Sequence, residues 1–248
     1  MKKNLEFLRQ NLIAHRGMHN IKEGIPENSL KAFEKAIENN YVIELDVHVL
    51  KDDSVVVFHD DNLNRMTGVN KKIKDVKYNE IKNLKLQNTN NHIPLLKDVL
   101  NIVNGKVPII IELKYDVKYG TLENKTMEIL MRYKGQYAIK SFNPLSVYWL
   151  KKKYPKVIRG QLASSFKNDR MNIIKKFFLK NMICNYITKP DFISYDINGL
   201  PNKKIENYRK NNLVLGWTIR NKLDLEKARK YCDNFICENL DEIDYKNK

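Results

Sequence analysis

YVIELDVHVLKDDSVVVFHD, residues 41–60, places two acidic residues and a histidine where a buried strand should be apolar. Side chains alternate faces along a strand, so Ile43, Leu45, Val47 and Val49 share one side while Glu44, Asp46 and His48 share the other. The polar run Lys51-Asp52-Asp53-Ser54 separates two strand-like segments, and the stretch reads as a β-hairpin. Pairing Leu50 with Val55 would set His48 beside Val57 and Asp46 beside His59.

The same device recurs on both sides of the hairpin. In Pro108–Lys114, PIIIELK, residues Ile109, Ile111 and Leu113 face one way, and Ile110, Glu112 and Lys114 the other. Near the N-terminus, Leu12–Gly17 reads LIAHRG, an apolar strand ending in His15 and Arg16. Three carboxylates, two histidines and two cations therefore stand at the ends of separate apolar strands.

Between these strands the pattern changes to helical. Pro26-Glu27-Asn28-Ser29 marks a helix start with Asn28 or Ser29 as N-cap, followed by Leu30, Phe33, Ala36 and Ile37 at helical spacing. Strands at 41–50, 107–114, 137–142, 157–162, 192–197, 214–219 and 234–238 alternate with helices at 95–103, 122–133, 145–153, within 172–185, at 203–210 and at 223–231. With the strand at 12–15, and leaving out the return arm 54–59, eight strands of parallel type remain, the number that closes a barrel. Residues 62–92 are polar and basic with a short helical patch near Ile81 and Leu84. They read as an excursion with too few apolar residues for a core of its own. The expectation is an α/β chain forming one domain over residues 1–248. That domain is a TIM (β/α)8 barrel with a hairpin and a small insertion, about 61–92, after the second strand. The length of 248 residues suits it, since such barrels run to about 250 residues.

Charge and cysteine content narrow the setting. The net charge of +16 comes from 45 basic against 29 acidic residues. It reads either as lysines spread over solvated faces or as a field that attracts anions. No run of five basic residues and no nucleic-acid motif occurs, so no nucleic-acid partner is expected. Cys184, Cys232 and Cys237 lack CxxC spacing and read as reduced thiols. No stretch approaches the ~18 apolar residues of a membrane span, and polar residues interrupt the N-terminal segment where a signal peptide would be apolar. The expected setting is cytoplasmic, with no stable membrane insertion.

In such barrels the site lies at the C-terminal ends of the strands, where His15, Glu44, Asp46, Glu112, Lys114 and Trp217 all fall. Three buried carboxylates repel one another unless a cation or proton intervenes. An all-oxygen set selects a hard divalent ion, Ca2+ or Mg2+, with Mn2+ also accommodated; the bland reading is a set of buried salt bridges with Arg16 and Lys114. A cation with two nearby basic residues suits a phosphate, and His15 and His59 then suit general acid and base on either side of it. His48 is left unassigned, and His19 and His92 read as loop residues. Trp217 is either a core aromatic or an apolar wall for the substrate's carbon skeleton, and it stands as a substrate-contact candidate. Phe142 reads as packing, and Glu238 either joins the polar interior or caps it.

Together the motifs resemble those of the glycerophosphodiester phosphodiesterase family. They are His15-Arg16-Gly17, Pro26-Glu27-Asn28-Ser29, Glu44-Leu45-Asp46-Val47, Val57-Phe58-His59-Asp60, Leu63-x-Arg65-x-Thr67, Glu112-Leu113-Lys114, Ser141-Phe142-Asn143 and Trp217-Thr218, in family order. The resemblance implies a TIM barrel with one divalent cation held by Glu44, Asp46 and Glu112. It implies His15 and His59 as the acid/base pair and Arg16 and Lys114 as phosphate contacts. The implied reaction is hydrolysis of a small glycerophosphodiester to sn-glycerol 3-phosphate and an alcohol. The chain departs from the family pattern at Leu50 and at Ile236–Leu240, which bears on the alcohol. Two other functions are set against this one. The first is a phospholipase C- or lysophospholipase D-like enzyme acting on lipids; the second is a catalytically silent barrel that binds anions or nucleic acid through its basic surface.

Overall fold

A computed structural model describes residues 3–114, 119–165, 177, 179–243 and 245. The chain packs as two compact units, Ala14–Tyr137 and Met1–Ile13 with Ala138–Lys248. In order, the elements are α1 (Glu6–Gln10), β1 (Ile13–Ala14), α2 (Leu30–Glu38), β2 (Val42–Val49), β3 (Val55–Val57), α3 (Asn64–Thr67), α4 (Tyr78–Ile81) and α5 (Leu96–Val103). They continue as β4 (Ile109–Leu113), α6 (Thr121–Leu130), β5 (Tyr137–Ser141), α7 (Pro144–Lys153), β6 (Ile158–Ala163), α8 (Asn185–Thr188), β7 (Phe192–Asp196), α9 (Lys203–Arg209), β8 (Leu213–Ile219), α10 (Lys222–Tyr231) and β9 (Asn234–Cys237). This is the TIM (β/α)8 barrel expected from the alternation, with β3 as the extra hairpin arm. The helix expected within 172–185 lies in good part outside the described residues. No described helix is long and apolar enough to cross a membrane.

In the first unit, β2 is buried along its whole length, as a strand covered on both faces must be. It pairs in parallel with β4, with Asp46 opposite Glu112 and Leu45 opposite Ile111. The helix after β1 begins at Ser29, whose Oγ accepts from the Ala32 amide at 3.2 Å. It buries Ala32, Phe33 and Ala36. In the second unit, β5 through β9 pair in sequence, all parallel. Helix α7 starts with Asn143 accepting from the Leu145 amide and Pro144 in its first turn, where a missing N–H costs nothing.

The hairpin register differs from the expected one by one residue. Val49 faces Val55, His48 faces Val56 and Val47 faces Val57, so Asp46 meets Phe58, whose amide donates to the Asp46 carbonyl at 3.0 Å. The cause is the turn. Leu50 bonds Ser54, leaving a three-residue loop in which Asp53 takes a left-handed φ of 64°. A type I turn followed by an αL residue closes hairpins in this way.

The apolar residues of the excursion after the hairpin are buried in a core shared with the hairpin. Leu63, Met66, Ile73, Val76, Ile81 and Leu86 are buried in one cluster with Leu50, Val56, Phe58 and Ile93. The hairpin supplies the apolar partners that the excursion lacks on its own, and each fully buried large side chain contributes about 1.5–3 kcal/mol.

Candidate active site

The site is assembled from the middle of β2, the end of β4 and the segments after β1, β3 and β4. Its first organiser is the turn after β1. Arg16 has φ 57° and Gly17 φ 77°, and a Cβ on Gly17 would lie 2.9 Å from the backbone of Ala32. Only glycine allows both the left-handed backbone and this approach to α2. The turn aims the Arg16 amide at Glu44 Oε2, 3.1 Å away, and brings His15 Nε2 to 4.0 Å from the same oxygen.

Glu44, Asp46 and Glu112 are all buried, and one carboxylate oxygen from each lies within 4.8 Å of the others. Two cations stand among them. Lys114 Nζ donates to Asp46 Oδ1 at 3.1 Å and to Glu112 Oε1 at 2.9 Å, and Arg16 Nε lies 3.5 Å from Asp46 Oδ2. Burial alone would lower the lysine, but Asp46 and Glu112 outweigh it and hold Lys114 above the ordinary lysine value. Burial would likewise raise Asp46. Lys114 and Arg16, followed by His59 and His15, pull it well below the usual carboxylate range. The salt bridges named as the bland reading are therefore present, within a donor set of three carboxylates that also fits a hard divalent cation. The same carboxylate oxygens that accept from an ammonium have the chemistry to coordinate a metal.

His59 is held by its neighbour. Its Nδ1–H donates to Asp60 Oδ1 at 2.6 Å, which assigns the proton to Nδ1 and leaves Nε2 for other work. His48, unassigned from sequence, donates from Nε2 to the His59 carbonyl at 3.2 Å. Burial lowers its pKa and keeps it neutral.

Four residues carry interactions at the site that the sequence reading did not assign to them. Asn28 has φ 55° and donates to Asp46 Oδ2 at 3.0 Å, so the N-cap falls to Ser29. Asp60 orients His59. Arg65 donates to Asp60 at 2.6 and 3.0 Å and to Glu27 at 2.7 and 2.9 Å. Glu27 Oε1 also accepts from Arg16 Nη1 at 2.7 Å. All four sit inside the quoted motifs. What was missing was any periodicity, since loop residues belong to no face.

Trp217 lies on β8 of the other unit, half-buried, with Phe142 edge-on at 5.6 Å and 82°. That contact is the packing expected of Phe142. Glu238 is bound by Arg220, with Nε donating at 2.9 Å, and His92 bonds the Leu84 carbonyl at 3.2 Å.

Comparison with known proteins bears on the fold and the family. A crystal structure of a putative glycerophosphoryl diester phosphodiesterase from Silicibacter pomeroyi superposes with a TM-score of 0.78 at 18% identity, covering 94% of this chain and 93% of that one. A phosphodiesterase from Oleispira antarctica, solved with the product sn-glycerol-3-phosphate, gives 0.77 at 20% identity over 93% of each chain. A glycerophosphodiester phosphodiesterase from Caldanaerobacter subterraneus is 29% identical over 231 residues, 88% of this chain and 89% of its own length. A human lysophospholipase D is 36% identical over 149 residues, 55% of this chain, and the match spans 45% of that relative. The sequence model of the glycerophosphoryl diester phosphodiesterase family matches residues 15–241. With nearly the whole chain matched and the barrel shared, the protein belongs to the glycerophosphoryl diester phosphodiesterase family, and its enzyme class is that of a glycerophosphodiester phosphodiesterase.

Proposed function

We propose that the protein hydrolyses small glycerophosphodiesters to sn-glycerol 3-phosphate and an alcohol, using one divalent cation and the pair His15 and His59. The observation that carries this reading is the meeting of Glu44, Asp46 and Glu112 within 4.8 Å, with Arg16 and Lys114 against them. An all-oxygen set in a buried site suits Mg2+ or Ca2+, with Mn2+ next. A bound cation would polarise the phosphoryl oxygens and offset the charge that develops on them.

The chain's own residues account for the remainder. Lys114 stays protonated and, with Arg16, neutralises the non-bridging oxygens of the phosphate. Asp60 fixes the His59 ring with Nε2 available for proton transfer. One of the two histidines takes a proton from the nucleophile as its oxygen bonds to phosphorus; the nucleophile is either water, or the substrate's own glycerol hydroxyl with water then opening the cyclic phosphate. The other protonates the alkoxide as the P–O bond to the alcohol breaks, so the proton count balances. The product held by the Oleispira relative supports glycerol 3-phosphate as the common product.

The test is release of glycerol 3-phosphate from glycerophosphocholine and glycerophosphoethanolamine, first with a chelator and then with Mg2+, Ca2+ or Mn2+ restored. Metal-dependent release is expected; no release with any metal overturns the reading. The resemblance to a human lysophospholipase D favours one second reading, cleavage of a lysophospholipid. Choline release from lysophosphatidylcholine in place of glycerophosphocholine would select it.

A further inference from the structure

Arg65 does not touch the carboxylate cluster, yet it joins the two segments that carry the proposed acid/base and phosphate groups. Its guanidinium makes four hydrogen bonds: two to Asp60, at 2.6 and 3.0 Å, and two to Glu27, at 2.7 and 2.9 Å. Asp60 in turn accepts from His59 Nδ1, and Glu27 Oε1 accepts from Arg16 Nη1. An unbroken line of charge-assisted bonds therefore runs from His59 through Asp60, Arg65 and Glu27 to Arg16, and on to Asp46 at 3.5 Å.

Arg65 stands on α3, in the excursion, and Glu27 stands in the segment between β1 and α2. Asp60 follows β3, so the two carboxylates come from separate segments, and a planar fork can engage both at once where a point-charge ammonium cannot. Arg65 is 45% exposed, whereas Glu27 is 14% and Asp60 21% exposed. The clamp therefore lies on the solvent side of the carboxylates it holds.

We infer that Arg65 is a positioning residue for catalysis: by clamping Asp60 against Glu27 it fixes the His59 ring and holds the Arg16 guanidinium in place. Without the clamp, Asp60 loses its outer partners and can turn away from Nδ1. The His59 proton then exchanges between the two ring nitrogens, and the fraction with Nε2 free falls. This rests on the proposed role of His59, so the test carries a readout that does not need activity.

The experiment compares wild type with Arg65→Met, which keeps the stem and removes the fork, and with Arg65→Lys. Two-bond 1H–15N correlation of the histidine rings reports the His59 tautomer, and steady-state kinetics on glycerophosphocholine reports kcat and KM. Wild type is expected to show His59 protonated at Nδ1. Arg65→Met is expected to show a tautomer mixture and a kcat lower by about 10–100-fold, the usual scale for losing an outer-shell partner, with KM changed by less than about threefold. Because the clamp is open to solvent, millimolar guanidinium is expected to restore part of that kcat. Arg65→Lys should show the same changes to a smaller degree, and it serves as the test if Arg65→Met does not fold. A folded variant with the wild-type His59 tautomer and kcat within about twofold overturns the inference. An inactive wild type that still shows the tautomer change on losing Arg65 leaves the clamp standing and removes the proposed reaction instead.

Discussion

Asp46 and Glu112 are register partners on neighbouring parallel strands, β2 and β4, and Lys114 Nζ bonds both carboxylates at once. Parallel pairing puts side chains of equal register on the same face. Two acidic residues far apart in sequence therefore share one lysine, and Glu44 stands two residues back on the same face.

Glu112→Gln is expected to weaken divalent-cation binding by at least about tenfold, or ~1.4 kcal/mol, while Asp46 continues to hold Lys114. Calorimetric titration with Mn2+ measures it, and an unchanged isotherm would remove Glu112 from the donor set. Asp46→Ala behaves differently, because it strips both Lys114 and Arg16 of a buried partner. That change should cost about 3–5 kcal/mol of stability, read by chemical denaturation.

His15→Ala and His59→Ala should each lower kcat by about 10²–10⁴-fold, the scale of a lost general acid or base, with the far-ultraviolet circular dichroism unchanged. Near-normal turnover in either variant would sink the acid/base pairing.

Acid stability carries a signature of Asp60. Burial would raise this carboxyl, but hydrogen bonds from Arg65 and His59 bring it from 3.8 down to about 2. A depressed folded pKa means that the unfolded chain binds the proton more readily, so the stabilisation is complete above about pH 4–5. It is lost as pH falls from about 4 towards 2. The stability difference between wild type and Asp60→Asn should be flat near neutrality and shrink across that window. A difference independent of pH down to 2 would mean the carboxylate charge contributes nothing.

Gly17→Ala should destabilise the fold by about 2–5 kcal/mol, combining a left-handed backbone with a Cβ pressed on Ala32. Denaturant midpoints measure it. A loss below about 1 kcal/mol would mean that the turn relaxes without cost.

The period-2 and period-3.6 patterns carried most of the fold. All eight barrel strands and the helices Leu30–Glu38, Leu96–Val103, Thr121–Leu130, Pro144–Lys153, Lys203–Arg209 and Lys222–Tyr231 were legible to within a few residues, because burial on a strand or helix face leaves a repeat in the chain; the one-turn helices Asn64–Thr67 and Asn185–Thr188 are too short to leave one. The carboxylates were legible for the opposite reason, as violations of that repeat: Glu44, Asp46 and Glu112 are charged residues in strands buried along their whole length. The core of the excursion was not legible. Its six buried apolar residues are too few taken alone, and their partners come from Leu50, Val56 and Phe58 of the hairpin.

The alternation of strand and helix, and the residues that would be charged in an apolar setting, can be read from the chain alone. Periodicity and residue chemistry are local properties, written in consecutive positions. Only the tertiary structure decided the hairpin register, which depends on Asp53 adopting φ 64°, and with it the pairing of Asp46 with Phe58 rather than His59. It also decided that Arg65 meets Glu27, 38 positions away in the chain. That contact follows from which loops come together, and loop side chains carry no repeat from which it could be read.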